Sequence, residues 1–202
     1  MVPQSPKRFL RGLRIYFVTT NTSKLEEARK ALSEFDIELE MLPQRKSEIQ
    51  SEKLEEIAEA AAKEIAKSLK VQVVTEDSGL FIHVLNGFPG PYSAYVFKTI
   101  GCRGILDLMR DRADRKAEFK AVVAYCGPVQ EPRSFVGVVE GKLAREARGT
   151  SGFGFDPIFV PLEGDGRTFA EMTLDSKNLY SHRARAFRKF GEWFQSFQRS
   201  LK

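Results

Sequence analysis

Short β-branched apolar runs alternate along the chain with longer stretches whose apolar residues recur every three or four positions, a pattern that predicts an α/β fold. Ile15-Tyr16-Phe17-Val18 predicts a buried strand; the polar residues 19–24 and then Leu25, Ala28 and Leu32 predict a loop and a helix. Ser23, with Glu26 three residues on, has the spacing of a capping box and places the helix start just after that loop. Ile37, Leu39 and Met41 alternate with Glu38 and Glu40 as in a half-exposed strand, which Pro43 and a charged surface loop end. Leu54, Ile57, Ala58, Ala61, Ile65 and Leu69 mark one face of a packing helix. Val71-Gln72-Val73-Val74 and Leu80-Phe81-Ile82-His83-Val84 then flank Glu76, Asp77 and Gly79, predicting strand, acidic corner, strand. Ile105, Leu106 and Met109 suggest a short helix, and residues 119–125 and 135–139 a hairpin turning near Gly127-Pro128. After Ser181, a good N-cap, Phe187, Phe190, Phe194, Phe197 and Leu201 line one helical face, a stripe longer than one neighbouring helix needs.

Composition narrows this picture. At 202 residues and 42% hydrophobic content the chain can fill one core, with residues 15–202 as a single folded domain. Residues 1–14 carry Lys7, Arg8, Arg11 and Arg14 among polar residues and read as a loose basic leader. Cys102 and Cys126 have no C-x-x-C spacing, and His83 lies far from His182, which argues against zinc and against a disulfide framework. No apolar run reaches the roughly 20 residues that span a bilayer, and no signal-peptide core opens the chain, so the expected location is cytoplasmic, away from membranes. The net charge of +5 suits a polyanionic partner, either nucleic acid or a small polyphosphate.

The candidate chemistry sits where the patterns break. Glu76 and Asp77 are adjacent carboxylates between apolar runs, and two such charges held together call for a cation or a set of donors; both are metal or acid/base candidates. Thr19, Thr20, Asn21, Thr22, Ser23 and Lys24 join a strand to a helix N-terminus, whose free N–H groups and positive dipole end favour anions. Residues 149–159 combine three glycines, three phenylalanines and Asp156, a composition that lets backbone approach a ligand and rings stack on it, although no G-x-G-x-x-G follows a strand. Lys177, His182 and Arg183 gather donors at a helix start, where unpaired cations are unfavourable, so something electron-rich should face them.

In order and spacing, Thr19-x-Asn21-x-x-Lys24, Glu76-Asp77-Ser78-Gly79-Leu80, Gly87-Phe88-Pro89-Gly90-Pro91-Tyr92-Ser93-Ala94, Gly152-Phe153-Gly154-Phe155-Asp156-Pro157-Ile158-Phe159 and Ser181-His182-Arg183 resemble the inosine/xanthosine triphosphate pyrophosphatase family. Departures are small: Thr20 stands where a glycine is common, and Ala184 follows Ser-His-Arg where many members have glycine. The resemblance implies a two-lobed α/β protein with a long central mixed β-sheet flanked by helices, a nucleotide cleft between the lobes and a homodimer. It implies magnesium-dependent hydrolysis of inosine, deoxyinosine or xanthosine triphosphate to the monophosphate and pyrophosphate. By motif, Thr19, Thr20, Asn21, Thr22, Ser23 and Lys24 would hold the triphosphate, and Asp77 would be the catalytic base or a metal ligand. Ser78 would touch substrate, and Glu48 and Glu76 would be further metal ligands. Phe153, Gly154, Phe155 and Asp156 would enclose base and ribose, while Lys177, His182 and Arg183 would read the purine edge. Donors there reward the keto oxygen of hypoxanthine or xanthine and penalise the amine of adenine.

Two other classes remain open at this level. A nucleic-acid-binding module explains the net charge but leaves the acid pair unexplained, since carboxylates repel a phosphate backbone. A phosphotransferase explains metal and phosphate loop, but no Walker-type glycine-lysine loop is present.

Overall fold

The computed structural model describes residues 15–35, 37–47 and 49–200, so the basic leader, Glu48 and Leu201 lie outside the described residues. The strands are β1 (Ile15–Val18), β2 (Leu39–Leu42), β3 (Val73–Ile82), β4 (Pro89–Gly90), β5 (Lys116–Cys126), β6 (Arg133–Leu143) and β7 (Phe159–Pro161). The helices are α1 (Thr22–Leu32), α2 (Leu54–Leu69), α3 (Ser93–Thr99), α4 (Gly101–Leu108), α5 (Leu174–Tyr180) and α6 (His182–Ser200). One open mixed sheet runs β2-β1-β3-β5-β6-β7, with β4 paired to β3. β1 is parallel to both β2 and β3; the remaining pairs are antiparallel.

The helices pack this sheet on both faces and divide it into two lobes. In the first lobe α1 and α6 cover one face through Leu25, Ala28, Leu32, Phe187 and Phe190, and α2 covers the other through Leu54, Ala58, Ala62 and Ile65. In the second, Leu80, Ile82 and Phe119 pack with Val96 of α3, Ile105 of α4 and the 155–172 segment. The cleft lies where the two lobes meet.

Three local expectations are corrected. The acidic corner is an unbroken stretch of β3, because β5 pairs with every residue from Val73, opposite Cys126, to Ile82, opposite Ala117. Side chains alternate along a strand, so Glu76 and Ser78 face the α1/α6 side while Asp77 faces the other. The cap of α1 is Asn21 and not Ser23: its side chain accepts from the Lys24 N–H at 3.2 Å, and Thr19 Oγ1 accepts from the Asn21 N–H at 3.1 Å. The aromatic stripe of α6 is used within the chain. Phe187 meets Phe17 edge-on at 5.4 Å, Phe190 stacks on Tyr125 at 5.9 Å, and Phe197 lies on Trp193 at 5.1 Å, the last two being half-buried. The hairpin is present and longer than the apolar runs indicate, with β5 and β6 of 11 residues each.

Two glycines set the cleft walls. A Cβ on Gly79 would collide with the Gly90 carbonyl, so glycine lets β4 close on β3. A Cβ on Gly137 would collide with the His182 carbonyl and the Ala186 amide, so glycine lets the first turn of α6 lie directly on β6.

Candidate active site

β1 ends at Val18, and its last partner on β3 is Val74; β4 pairs only with Leu80 and Phe81 of β3. Both lie on the edge of β3 away from β5, so among the described residues no strand pairs with that edge over residues 75–79. Glu76, Asp77 and Ser78 fall in this gap. The N-terminus of α1 opens beside it, because the chain leaves the sheet after β1. Lys46, in the loop after β2, donates from Nζ to the Glu76 carbonyl at 3.0 Å and stands 3.6 Å from Asp77 Oδ1. Ligands of open α/β sheets collect at the carboxyl ends of strands where neighbours diverge.

A cavity of about 300 Å³ opens on the α1/α6 side of this gap. Asn21, Lys24 and Ser78 line one part of it, and Phe97, Phe119, Phe153, Phe155 and His182 supply rings to the rest. Gly154, Asp156, Arg183 and Lys98 also line it, with Gly79, Ser93 and Ala94. The structure therefore gathers nine of the residues named from sequence into one cleft: Asn21, Lys24, Ser78, Phe153, Gly154, Phe155, Asp156, His182 and Arg183. Thr19, Thr20, Thr22 and Ser23 belong to the adjoining loop and first turn of α1, with Thr20 and Thr22 exposed. Lys177 stands buried behind the wall, and Asp77 faces the opposite side of β3. Phe155 is mainly a wall residue, buried and edge-on to Phe97 at 5.4 Å.

The electron-rich partner expected at the start of α6 is the protein's own set of carboxylates. Lys177 Nζ donates to Glu27 Oε1 at 2.8 Å and to Asp156 Oδ2 at 2.6 Å. Arg183 Nη1 reaches Glu27 Oε2 at 2.7 Å, its Nε reaches Glu76 Oε1 at 3.0 Å, and its Nη2 reaches Ser78 Oγ at 3.1 Å. Lys24 Nζ donates to Glu76 Oε2 at 2.6 Å. Three cations and three carboxylates thus interlock and balance. Phe153 lies over two of them, 5.1 Å from Lys177 Nζ and 5.2 Å from the Arg183 guanidinium carbon, which holds its ring flat against the wall. Asp156 Oδ2 also accepts from the Phe153 N–H at 2.9 Å.

Burial and partner charge set the protonation states. Burial alone would raise the Glu76 carboxyl, but Arg183 and Lys24 overcome it and hold the group far below the usual carboxylate range. Glu27 behaves alike, burial being outweighed by Arg183 and Lys177. Asp156 moves upward, pushed by burial against the pull of Lys177 and with help from Glu27. Burial, and then the Arg183 and Lys177 cations, lower His182 well below its ordinary value, so the imidazole is neutral; it stacks on Phe119 at 4.6 Å, and among the described residues its buried Nδ1 has no hydrogen-bond partner. Burial and Asp156 push the Cys102 thiol beside Gly154 up to about 11, a poor setting for a nucleophile.

Two participants escaped the sequence reading. Glu27 holds both Lys177 and Arg183; its signal was position, three residues after Lys24 and four before Ala31 on the buried face of α1. Lys46 lay in a charged run read as surface loop, and nothing local marks it apart from Arg45.

The metal expectation divides between the acids. Both Glu76 oxygens are taken by cations and its side chain is 0% exposed, so Glu76 does not suit a metal ligand. Among the described residues no three His, Cys, Asp or Glu side chains cluster as a metal site. Asp77, 15% exposed in the gap, is the one of these two adjacent acids that solvent reaches.

The model of the Ham1 family matches residues 15–193. A dITP/XTP pyrophosphatase of Methanopyrus kandleri is 49% identical over 184 residues, 91% of this chain and 97% of that protein. One of Thermococcus kodakarensis is 51% identical over 183 residues, covering 91% and 98% respectively. Among solved structures, a HAM1 protein from Coxiella burnetii superposes with a TM-score of 0.81 at 32% identity, covering 92% of this chain and 100% of that one. With a parallel β1/β3 pair feeding a long antiparallel hairpin, the motifs in one cleft and these matches along nearly the whole domain, the chain belongs to the Ham1 family.

Proposed function

We propose that the protein hydrolyses the triphosphates of deaminated purines (ITP, dITP and XTP) to the nucleoside monophosphate and pyrophosphate, clearing them from the cytoplasmic nucleotide pool. The observation that carries this reading is one cleft holding an anion-binding helix start at one part and a cation-backed aromatic slot at another. The names of the relatives above, dITP/XTP pyrophosphatases, point the same way.

The chain's residues divide the work. The Asn21-capped start of α1 and the Lys24 ammonium receive phosphate oxygens; an ammonium has three donors, and Glu76 with Ser78 occupies two while aiming the third into the cleft. Glu76 is therefore a positioning anion. Phe153 stacks on the purine, with Lys177 and Arg183 behind its ring. The neutral His182, stacked on Phe119 in the cleft lining, presents an uncharged ring to the base. Asp77 takes the proton of the attacking water or holds the metal, beside Lys46, whose charge offsets that of the phosphates. Magnesium takes a few carboxylates plus phosphate and water oxygens, which Asp77 fits, with Glu48 as the second ligand that the resemblance implies. When bound it neutralises charge on the phosphates. The nucleic-acid and phosphotransferase readings gain no observation.

The homodimer expectation moves to another surface. Phe88, Tyr92, Tyr95 and Ile100 are exposed along the β4–α3 segment, with Tyr95 69% exposed, and a second copy covering this apolar face is the reading we adopt. Light scattering at micromolar protein should give twice the chain mass; a value near 22.9 kDa would reject it. The enzymatic reading is tested by incubating protein and magnesium with ITP, dITP, XTP, ATP and GTP and assaying pyrophosphate, orthophosphate and monophosphate. Pyrophosphate from the inosine and xanthosine forms, with little from ATP, is expected. Orthophosphate as the product, or equal turnover of ATP, sinks it.

A further inference from the structure

Of the charged side chains lining the cleft, Lys24, Asp156 and Arg183 are each ion-paired inside the protein, whereas Lys98, among the described residues, has no ion-pair partner. Lys98 lies on α3 and follows Phe97, whose ring packs edge-on against Phe155 at 5.4 Å. Lys98 thus lines the cleft from α3, the element that also carries Phe97, while Asn21 and Lys24 line it from the start of α1. The buried network behind that wall is already balanced, three cations against three carboxylates, so a base that brings its own negative charge finds no surplus positive charge there.

The geometry points to Lys98 as a specificity-determining residue that supplies the missing counter-charge to an ionised base; this inference rests on the reading proposed above. Xanthine carries a carbonyl at C2 and loses a ring proton near neutral pH, spreading negative charge over N3 and O2. Hypoxanthine has only hydrogen at C2 and stays neutral. Lys98 thus favours xanthine nucleotides through the one edge on which XTP and ITP differ, since the two share ribose and phosphates.

Steady-state kinetics of the full chain, of Lys98→Met and of Lys98→Arg with XTP and ITP at saturating magnesium and mildly alkaline pH test this. Lys98→Met should raise KM for XTP about 10-fold with kcat held, and leave ITP almost unmoved; Lys98→Arg should restore XTP. An equal rise for both substrates makes Lys98 a phosphate contact and overturns the inference, as does an unchanged KM for XTP. Both of those outcomes leave the proposed reaction standing. An unmutated protein that releases pyrophosphate from neither nucleotide defeats the proposed function itself and this inference with it.

Discussion

The first turn of α6 and the phenylalanine face of its middle turns are buried to the same degree by opposite means. Phe187, Phe190 and Phe194 are buried among other rings, and each is stabilised in proportion to the apolar area it removes from water, whichever ring it touches. Arg183 is buried as deeply, yet its charge is tolerable only because Glu27 and Glu76 stand at 2.7 and 2.9 Å. Rings tolerate a change of shape by repacking, whereas a buried charge tolerates a change of shape but not the loss of its opposite. The difference explains how the cleft wall at the start of α6 can be well packed without being apolar.

The largest effect should come from removing one charge while keeping shape. Glu27→Gln leaves Lys177 and Arg183 with one carboxylate fewer, and we expect a loss of about 3–5 kcal/mol in unfolding free energy by urea titration. A loss below that of a ring replacement would break the comparison. For the same reason Arg183→Ala is an unclean test of the proposed base contact: any fall in ITP turnover would mix a lost contact with two buried carboxylates, Glu27 and Glu76, each left with one cation instead of two. Asp77→Asn separates charge from burial, because Asp77 reaches solvent. Its melting temperature should hold while pyrophosphate release falls about 100-fold or more. Phe190→Leu should cost about 1–2 kcal/mol, with kcat/KM for ITP unchanged in the folded fraction.

The smallest effect is in the pH dependence of stability. Glu27 and Glu76 have folded-state carboxyls below their ordinary 4.5, so their contribution is fully present above pH 4.5 and is lost as pH falls towards the folded values. Asp156 has the opposite sign, taking up its proton above its ordinary 3.8 and softening the loss. Melting curves should be flat from neutrality to about pH 5 and decline below that. Phe190→Leu should lower the whole curve without changing its shape, while Glu27→Gln should flatten the acid limb; parallel curves for the two variants would contradict the assignment.

Periodicity made the scaffold legible: the apolar spacing of α2 and α6, the β5/β6 hairpin and the opening strand all follow from residues whose burial depends on their own side chains. The course of β3 was misread because Glu76 and Asp77 look like turn residues, and only partners 52 and 107 positions away in sequence, Lys24 and Arg183, make Glu76 a strand interior residue. Glu27 was hidden for the same reason, its partners lying 150 and 156 positions on. The motif residues of the cleft could be named from order and spacing. Their pairing into a balanced network could not, since no local pattern records which charge meets which.

The unpaired stretch of β3 over residues 75–79 has a consequence for association. A free strand edge is a template on which another chain can add a strand, and sheet proteins guard such edges with charge. Here the guards are Lys46, whose ammonium occupies the Glu76 carbonyl at 3.0 Å, and Asp77 beside it. The two side chains that flank the candidate site on this edge are therefore also the charges that stand in the way of another chain pairing there.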